Sequence, residues 1–203
     1  MAEIATLWRP RGAWDLYAQI GRHGRRDGPA GLIVAPREGL ALASITAADG
    51  AGDGLAEAIR ARFGLSLPEP GAALFSGETG LVWSGPDQWL ALAPARGDLD
   101  GLGAALQNLA AVADQSDGRA VLRLSGPDAR RVLEKGVSVD LHPRAFAAGR
   151  TAVTAVAHIG VQLWQRDDRP TYELAVARSF AGSLWSWLEE AAAEFGCEVR
   201  ASA

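Results

Sequence analysis

A chain of 203 residues with a net charge of −4, seven tryptophans and one cysteine is long enough to bury a single sizeable core. Its acidic balance carries no nucleic-acid footprint, and no apolar run approaches the roughly 20 residues that span a bilayer. Cys197 has no internal disulfide partner, His23, His142 and His158 lack the spacing of a zinc site, and MAEIATLWRPRGAWD lacks the pattern of a secretory signal, so a metal-free cytoplasmic protein is expected.

Residues 1–37 are rich in Arg, Gly and Pro, show no sustained periodicity and read as an extended N-terminal arm. The basic run Arg22, His23, Arg25 and Arg26 reads either as a solvated loop or as a contact for phosphate or an acidic protein surface. With Trp8 and Trp14 embedded in it, the arm is more readily explained if it lies on something. Residues 38–203 read as one compact domain. A strand within LALASIT is followed by Leu55, Ala58, Ile59 and Phe63 at helical spacing, closed by Gly64. Two apolar runs, Ala72 to Phe75 and Leu81 to Trp83, flank SGETG as a hairpin. A third strand, Trp89 to Ala93, leads to a helix carrying Leu102, Ala105, Leu106 and Leu109.

This order then recurs. A strand at Ala120 to Leu124 precedes SGPDARRVLEKG, in which Ser125 is expected to cap a helix, with Pro127 in its first turn and Asp128 complementing the helix dipole. Strands at Thr151 to Ile159, Val161 to Gln165 and Tyr172 to Ala177 follow, then a helix through Phe180, Leu184, Leu188, Ala191 and Phe195 that ends at Gly196. Each copy, about 39–111 and 119–203, reads strand, helix, three strands, helix. The expected fold class is α+β, with mixed or antiparallel sheets, helices packed on them and the halves related by a pseudo-twofold axis.

Candidate sites are few. DGAGDG at Asp49 to Gly54 lies between a strand and a helix, but Leu55 stands where a dinucleotide fingerprint needs its third glycine. No GxSxG elbow is present, and Asp167 with Asp168 reads as a hairpin tip rather than a catalytic carboxylate pair. Trp185 and Trp187 are two apart on a helix and cannot both face inward fully, which assigns one of them to a partner. The expected partner surface is Trp8, Trp14, Arg22, Arg25, Arg26, Trp185 and Trp187, with no catalytic, cofactor or metal residues.

The order strand, GPDA, a helix with RRVLEKG, an apolar hairpin and YELAV resembles the folate-binding aminomethyltransferase superfamily, which includes the glycine-cleavage T-protein. Within it, DLHPRAFAAG (Asp140 to Gly149) and ARSFAGSLWSWLEEAAAEFG (Ala177 to Gly196) are similar to the gamma-subunit family of heterotetrameric sarcosine oxidases. That resemblance implies a cytoplasmic complex with alpha, beta and delta subunits that oxidises sarcosine with oxygen to glycine and hydrogen peroxide, forming methylenetetrahydrofolate when tetrahydrofolate is present. It implies FAD, FMN, NAD and folate on the larger partners, zinc on the delta subunit, and a gamma chain without catalytic residues. Folate-using relatives place an acidic residue after the glycine of the hairpin HIGVQLWQRDD; here Val161 follows Gly160, and Glu173 or Asp117 are the acids that could substitute. An independent folate-binding or one-carbon transfer protein is therefore the alternative function.

Overall fold

The computed structural model of the chain describes residues 11–201. Two short strands, β1 (Gly21–His23) and β2 (Leu32–Pro36), come first. The first repeat comprises β3 (Ala41–Ala47), α1 (Gly52–Phe63), β4 (Ala73–Ser76), β5 (Thr79–Gly85), β6 (Gln88–Ala93), α2 (Leu102–Ala105) and β7 (Ala110–Asp114). The second comprises β8 (Arg119–Ser125), α3 (Ala129–Glu134), β9 (Thr151–Val156), β10 (Ile159–Asp167), β11 (Thr171–Ala177), α4 (Ala181–Ala192) and β12 (Cys197–Val199).

The two halves share one topology. The five-stranded sheet runs β4-β5-β6-β3-β7 and the seven-stranded sheet β1-β12-β2-β8-β11-β10-β9, so the repeats superimpose strand for strand once β2 is removed from between β8 and β12. Each middle hairpin carries a bulge at the same place, at Ser84 in β5 and at Arg166 in β10. The halves meet through a reciprocal backbone pair: Ala73 N donates to Gly149 O at 2.8 Å, and Thr151 N donates to Gly71 O at 3.0 Å. Ala73 and Thr151 open β4 and β9, and Gly71 and Gly149 lie two residues before them, as a twofold relation between the halves requires.

Strand alternation sorts the side chains into layers. One face of the seven-stranded sheet, including Leu122, Leu124, Leu163, Leu174 and Val176, packs under α3 and α4. One face of the five-stranded sheet, including Ile45, Leu81 and Ala91, packs under α1 and α2. Between the sheets Leu40, Leu42, Val82, Leu90 and Leu92 meet Val121, Trp164 and Ala175. The result is a four-layer α/β/β/α body whose inner layer is the thinnest.

Several local expectations are corrected. The arm is an arm only on paper: of its described residues, 32–36 form an internal strand paired with both β8 and β12, and 21–23 form an edge strand on β12. Ser125 closes β8 instead of capping a helix; α3 starts at Ala129 with no side-chain cap, and the Asp128 carboxylate pairs with Arg131 at 2.7 Å. Gly126, at φ +108, lets the chain pass so close to Gly31 that an added Cβ would stand 2.6 Å from its carbonyl oxygen. The expected helix through Leu109 shrinks to the single turn Leu102–Ala105, because Ala110 to Asp114 pair with β3 as an edge strand. The β9–β10 turn lies at Ala157 and His158, both at positive φ, rather than at Gly160.

Candidate functional site

The inner layer ends in charge on one side and in open space on the other. At the charged end, Arg123 on β8, Glu173 on β11, Arg166 at the β10 bulge and Glu78 in the β4–β5 turn converge with Arg37, which follows β2. Glu173 is 2% exposed and its carboxylate is fully engaged: Arg123 Nε donates to Oε1 at 2.9 Å and Trp164 Nε1 donates to Oε2 at 2.8 Å. Arg37 Nε and Arg166 Nη1 stand 3.6 and 3.7 Å away, within ion-pair range but too far for hydrogen bonds. Glu78 Oε2 accepts bonds of 2.6 Å from both Arg37 Nη2 and Arg123 Nη2. Arg166 lies 3.7 Å over the Phe75 ring and donates to Gly77 O at 2.8 Å.

Three guanidinium groups against two carboxylates leave this cluster one positive charge in excess. Burial opposes ionisation of Glu78, but the hydrogen bond and charge of Arg123, with Arg37 and Arg166, outweigh it and hold the carboxyl below its ordinary value. Burial likewise works against the charged Arg123, but Glu173 and Glu78 together outweigh it, so the guanidinium stays above its usual range. Arg166 goes the other way, because its burial exceeds the support of Glu173 and Glu78. The cluster is a clamp that ties the first-repeat turn at Glu78 to strands of the second repeat and to the segment after β2. Its sequence signal was present but unread: VLRLS and YELAV each set one charged residue inside an apolar strand, which is affordable only when the two pair.

At the other end, the repeat places Ser84 where the clamp has Arg166, since both are the bulge residues of matching hairpins. By the same register Leu90 stands where the clamp has Glu173, since Trp89 and Gln88 face the β5 bulge as Tyr172 and Thr171 face that of β10, and Gln88 extends the neutral lining. The neutral side chains leave a cleft of about 360 Å³ bordered by Ser84, Gln88, Gln115, Arg119, Val153 and Gln162. Gln162 Nε2 donates to Trp83 O at 3.1 Å and to Ser84 Oγ at 2.9 Å, tying the sheets together across the cleft. Gly160, Val161 and Ala175 complete its wall.

The expected partner residues do not gather into one surface. Trp14 is a core residue, 2% exposed, with Nε1 donating to Val121 O at 3.1 Å; Trp185, 3% exposed, packs in the same core. Neither indole is offered to a partner, because α4 turns Trp185 under the seven-stranded sheet and the chain before β1 folds back over β8. Trp187 is half-buried and lies against Gly136 so closely that an added Cβ there would stand 2.6 Å from its ring. Arg22 is half-buried and donates from Nη2 to Arg25 O and Gly28 O, which shapes its own loop. Arg25 and Arg26 are exposed, and Trp8 lies outside the described residues. What composition could not show is an exposed apolar group: Leu16, Tyr17 and Ile20 before β1, and Phe180 ahead of α4, are 61%, 39%, 73% and 50% exposed. Tyr17 lies against Gly182 in the first turn of α4, which joins the two segments into one face.

This doubled α+β architecture defines the class of the protein. It matches the glycine cleavage system aminomethyltransferase T from Bartonella henselae with a TM-score of 0.59 over 85% of this chain and 48% of that one, at 14% identity, a likeness of fold alone. A chain of the heterotetrameric sarcosine oxidase from Corynebacterium sp. U-96, solved in complex with pyrrole 2-carboxylate, matches with a TM-score of 0.79 and 30% identity over 92% of this chain and 96% of that one. In sequence the chain is 42% identical over 148 residues to the sarcosine oxidase subunit gamma of Corynebacterium sp. (strain P-1), covering 71% of this chain and 70% of the relative. It is 41% identical over 142 residues to that of Arthrobacter sp, covering 68% and 70%. The model of the sarcosine oxidase, gamma subunit family matches residues 47–194, and the chain belongs to that family.

Proposed function

We propose that this chain is the gamma-type subunit of a heterotetrameric, flavin-dependent sarcosine oxidase, and that it supports assembly and stability of the flavoprotein subunits without contributing a catalytic group. The observation that carries this reading is the match across 92% of the chain to 96% of one chain of a solved heterotetrameric sarcosine oxidase. On this reading alpha, beta and delta subunits are its partners in the cytoplasm. FAD, FMN, NAD and tetrahydrofolate sit on the larger subunits and zinc on delta, and the complex converts sarcosine, oxygen and tetrahydrofolate to glycine, hydrogen peroxide and methylenetetrahydrofolate.

The geometry weighs against an independent folate protein. Val161 borders the cleft where the resemblance would require an acid. Glu173 is committed to Arg123 and Trp164, and Asp117 pairs with Arg96 at 2.7 Å on the surface. A pterin would have to displace charge-assisted bonds worth roughly 1.5–3 kcal/mol each to recruit Glu173.

Docking falls to the exposed apolar side chains Leu16, Tyr17, Ile20 and Phe180. Exposed apolar anchors of this kind are the chemistry of subunit contacts. Co-expression of this chain with its flavoprotein partners tests the proposal. The wild-type chain is expected to co-purify with them at unit stoichiometry, and Leu16→Asp with Ile20→Asp to weaken that association by about ten-fold or more. Co-purification of the double variant at wild-type affinity would remove this face from the interface, and loss of co-purification of the wild type would remove the subunit assignment.

A further inference from the structure

We propose that the cleft between the two sheets binds a small organic carboxylate, with Arg119 as the anion-binding group and Val153 and Ala175 as the wall that receives the apolar body of the ligand. The volume, about 360 Å³, lies in the range of small-molecule sites. Among the described residues, Arg119 is the one charged side chain on its border. It heads β8 opposite Ala177, and it shares the inner face with Val121 and Arg123 by strand alternation. Arg123, four residues along, is neutralised by two carboxylates; the Arg119 guanidinium has no hydrogen bond or ion pair among the described residues.

Burial alone pushes the Arg119 guanidinium below its usual range, with no acid to offset it. A half-buried guanidinium of this kind is costly to the fold unless an anion completes it, and its planar fork matches a carboxylate bidentately. The repeat sharpens the contrast. At the clamp end of the inner layer, Glu78 and Glu173 satisfy the arginines from within the chain; at the cleft end Ser84 stands at the counterpart of Arg166 and Leu90 at that of Glu173, so no carboxylate is supplied. The anion must then come from outside. The cleft also has an apolar side: Val153 on the edge strand β9 is 59% exposed, and a ligand body in the cleft would cover it. Gln162 fixes the polar side, because its Nε2 is held by Trp83 O and Ser84 Oγ, which leaves Oε1 without a partner among the described residues and able to accept from a donor on the ligand. The proposal concerns this chain alone and stands whether or not the subunit assignment holds.

Titration of the isotope-labelled full chain with benzoate, followed by the backbone amide signals of Gly118, Gly160 and Ala177, tests it. Benzoate is expected to shift these signals saturably, benzamide to bind about ten-fold or more weakly, and Arg119→Gln to weaken benzoate by a similar factor while Arg119→Lys retains part of the affinity. No saturable shift with benzoate, benzamide binding as well as benzoate, or unchanged affinity in Arg119→Gln would overturn the site. If Arg119→Gln loses signal dispersion and so does not fold, the benzamide comparison and Arg119→Lys decide the matter. A parallel titration with the amide of N-acetylglutamate separates the sources of the carboxylate: tighter binding of that probe than of benzoate would assign the cleft to an acidic side chain of a polypeptide and overturn the small-molecule assignment.

Discussion

Two glutamates a few ångströms apart show how much a residue's setting decides. Glu173 is enclosed and holds Arg123 and Trp164, whereas the Glu78 side chain is 40% exposed and shares its arginines with solvent. Glu173→Gln removes the charge that balances a buried guanidinium pair and is expected to cost about 3–5 kcal/mol in denaturant unfolding. Glu78→Gln is expected to cost about 1 kcal/mol or less, because water screens its pairs. The two also differ in pH behaviour. Since the folded carboxyl of Glu78 lies below its ordinary value of 4.5, its contribution is fully present above that pH and is lost as pH falls through the folded value. Stability of Glu78→Gln should therefore fall less steeply than wild type below about pH 4.5, and equal acid sensitivity of the two would show that the Glu78 pairs do not form in solution. Cys197 is enclosed under α4, and burial, with the charge of Glu189, pushes its thiol up to about 12. Its labelling by a thiol reagent is expected to proceed only at the rate of global unfolding; rapid labelling of the native chain would contradict the packing around β12.

The elements that were legible in the sequence are those whose apolar pattern repeats over a full strand or helix. β3, β6, β8 and β11 and the helices α1 and α4 were each visible as one apolar stripe, and Gly64 ends α1 in the left-handed conformation that its position announced. The elements that were hidden depend on distant partners. β2 is five residues long and becomes a strand only because β8 and β12 hold it from both sides, and β1 and β12 are three residues each. Trp14 was misread for the same reason, since its bond to Val121 O spans more than a hundred positions in the chain. Trp14→Ala is expected to cost about 3–5 kcal/mol, as for other buried tryptophans, and a near-neutral result would return this segment to the status of an arm. The β9–β10 turn was hidden because Ala157 and His158 occupy the left-handed region without glycine. His158→Gly relieves that conformation and is expected to raise the unfolding free energy by about 0.5–1 kcal/mol, measurable as a higher midpoint in urea; a lower midpoint would mean that the imidazole makes a contact worth more than the strain.

At the scale of the whole molecule, a duplicated α+β unit has diverged at its pseudo-symmetric ends. One end is closed by the Glu78 and Glu173 clamp, the other stays open around Arg119, and the apolar face of Leu16, Ile20 and Phe180 lies on neither. The clamp was legible only in part: the charged residues of VLRLS and YELAV could be seen, but their pairing depends on Glu78 and Arg37 arriving from a turn and a strand end far away in sequence. The docking face was not legible, because Leu16 and Ile20 are too few to form a period and their exposure follows from how the chain crosses the head of α4. The proposed place of the chain in a larger assembly is tested most directly by native mass spectrometry of the tagged protein purified from its own host. The expected result is one assembly containing four different subunits, one copy of this chain among them, bearing bound flavin and producing hydrogen peroxide from sarcosine. Recovery of this chain from the same extract as a free monomer, with flavin and sarcosine-dependent peroxide formation in a fraction that lacks it, would contradict the account.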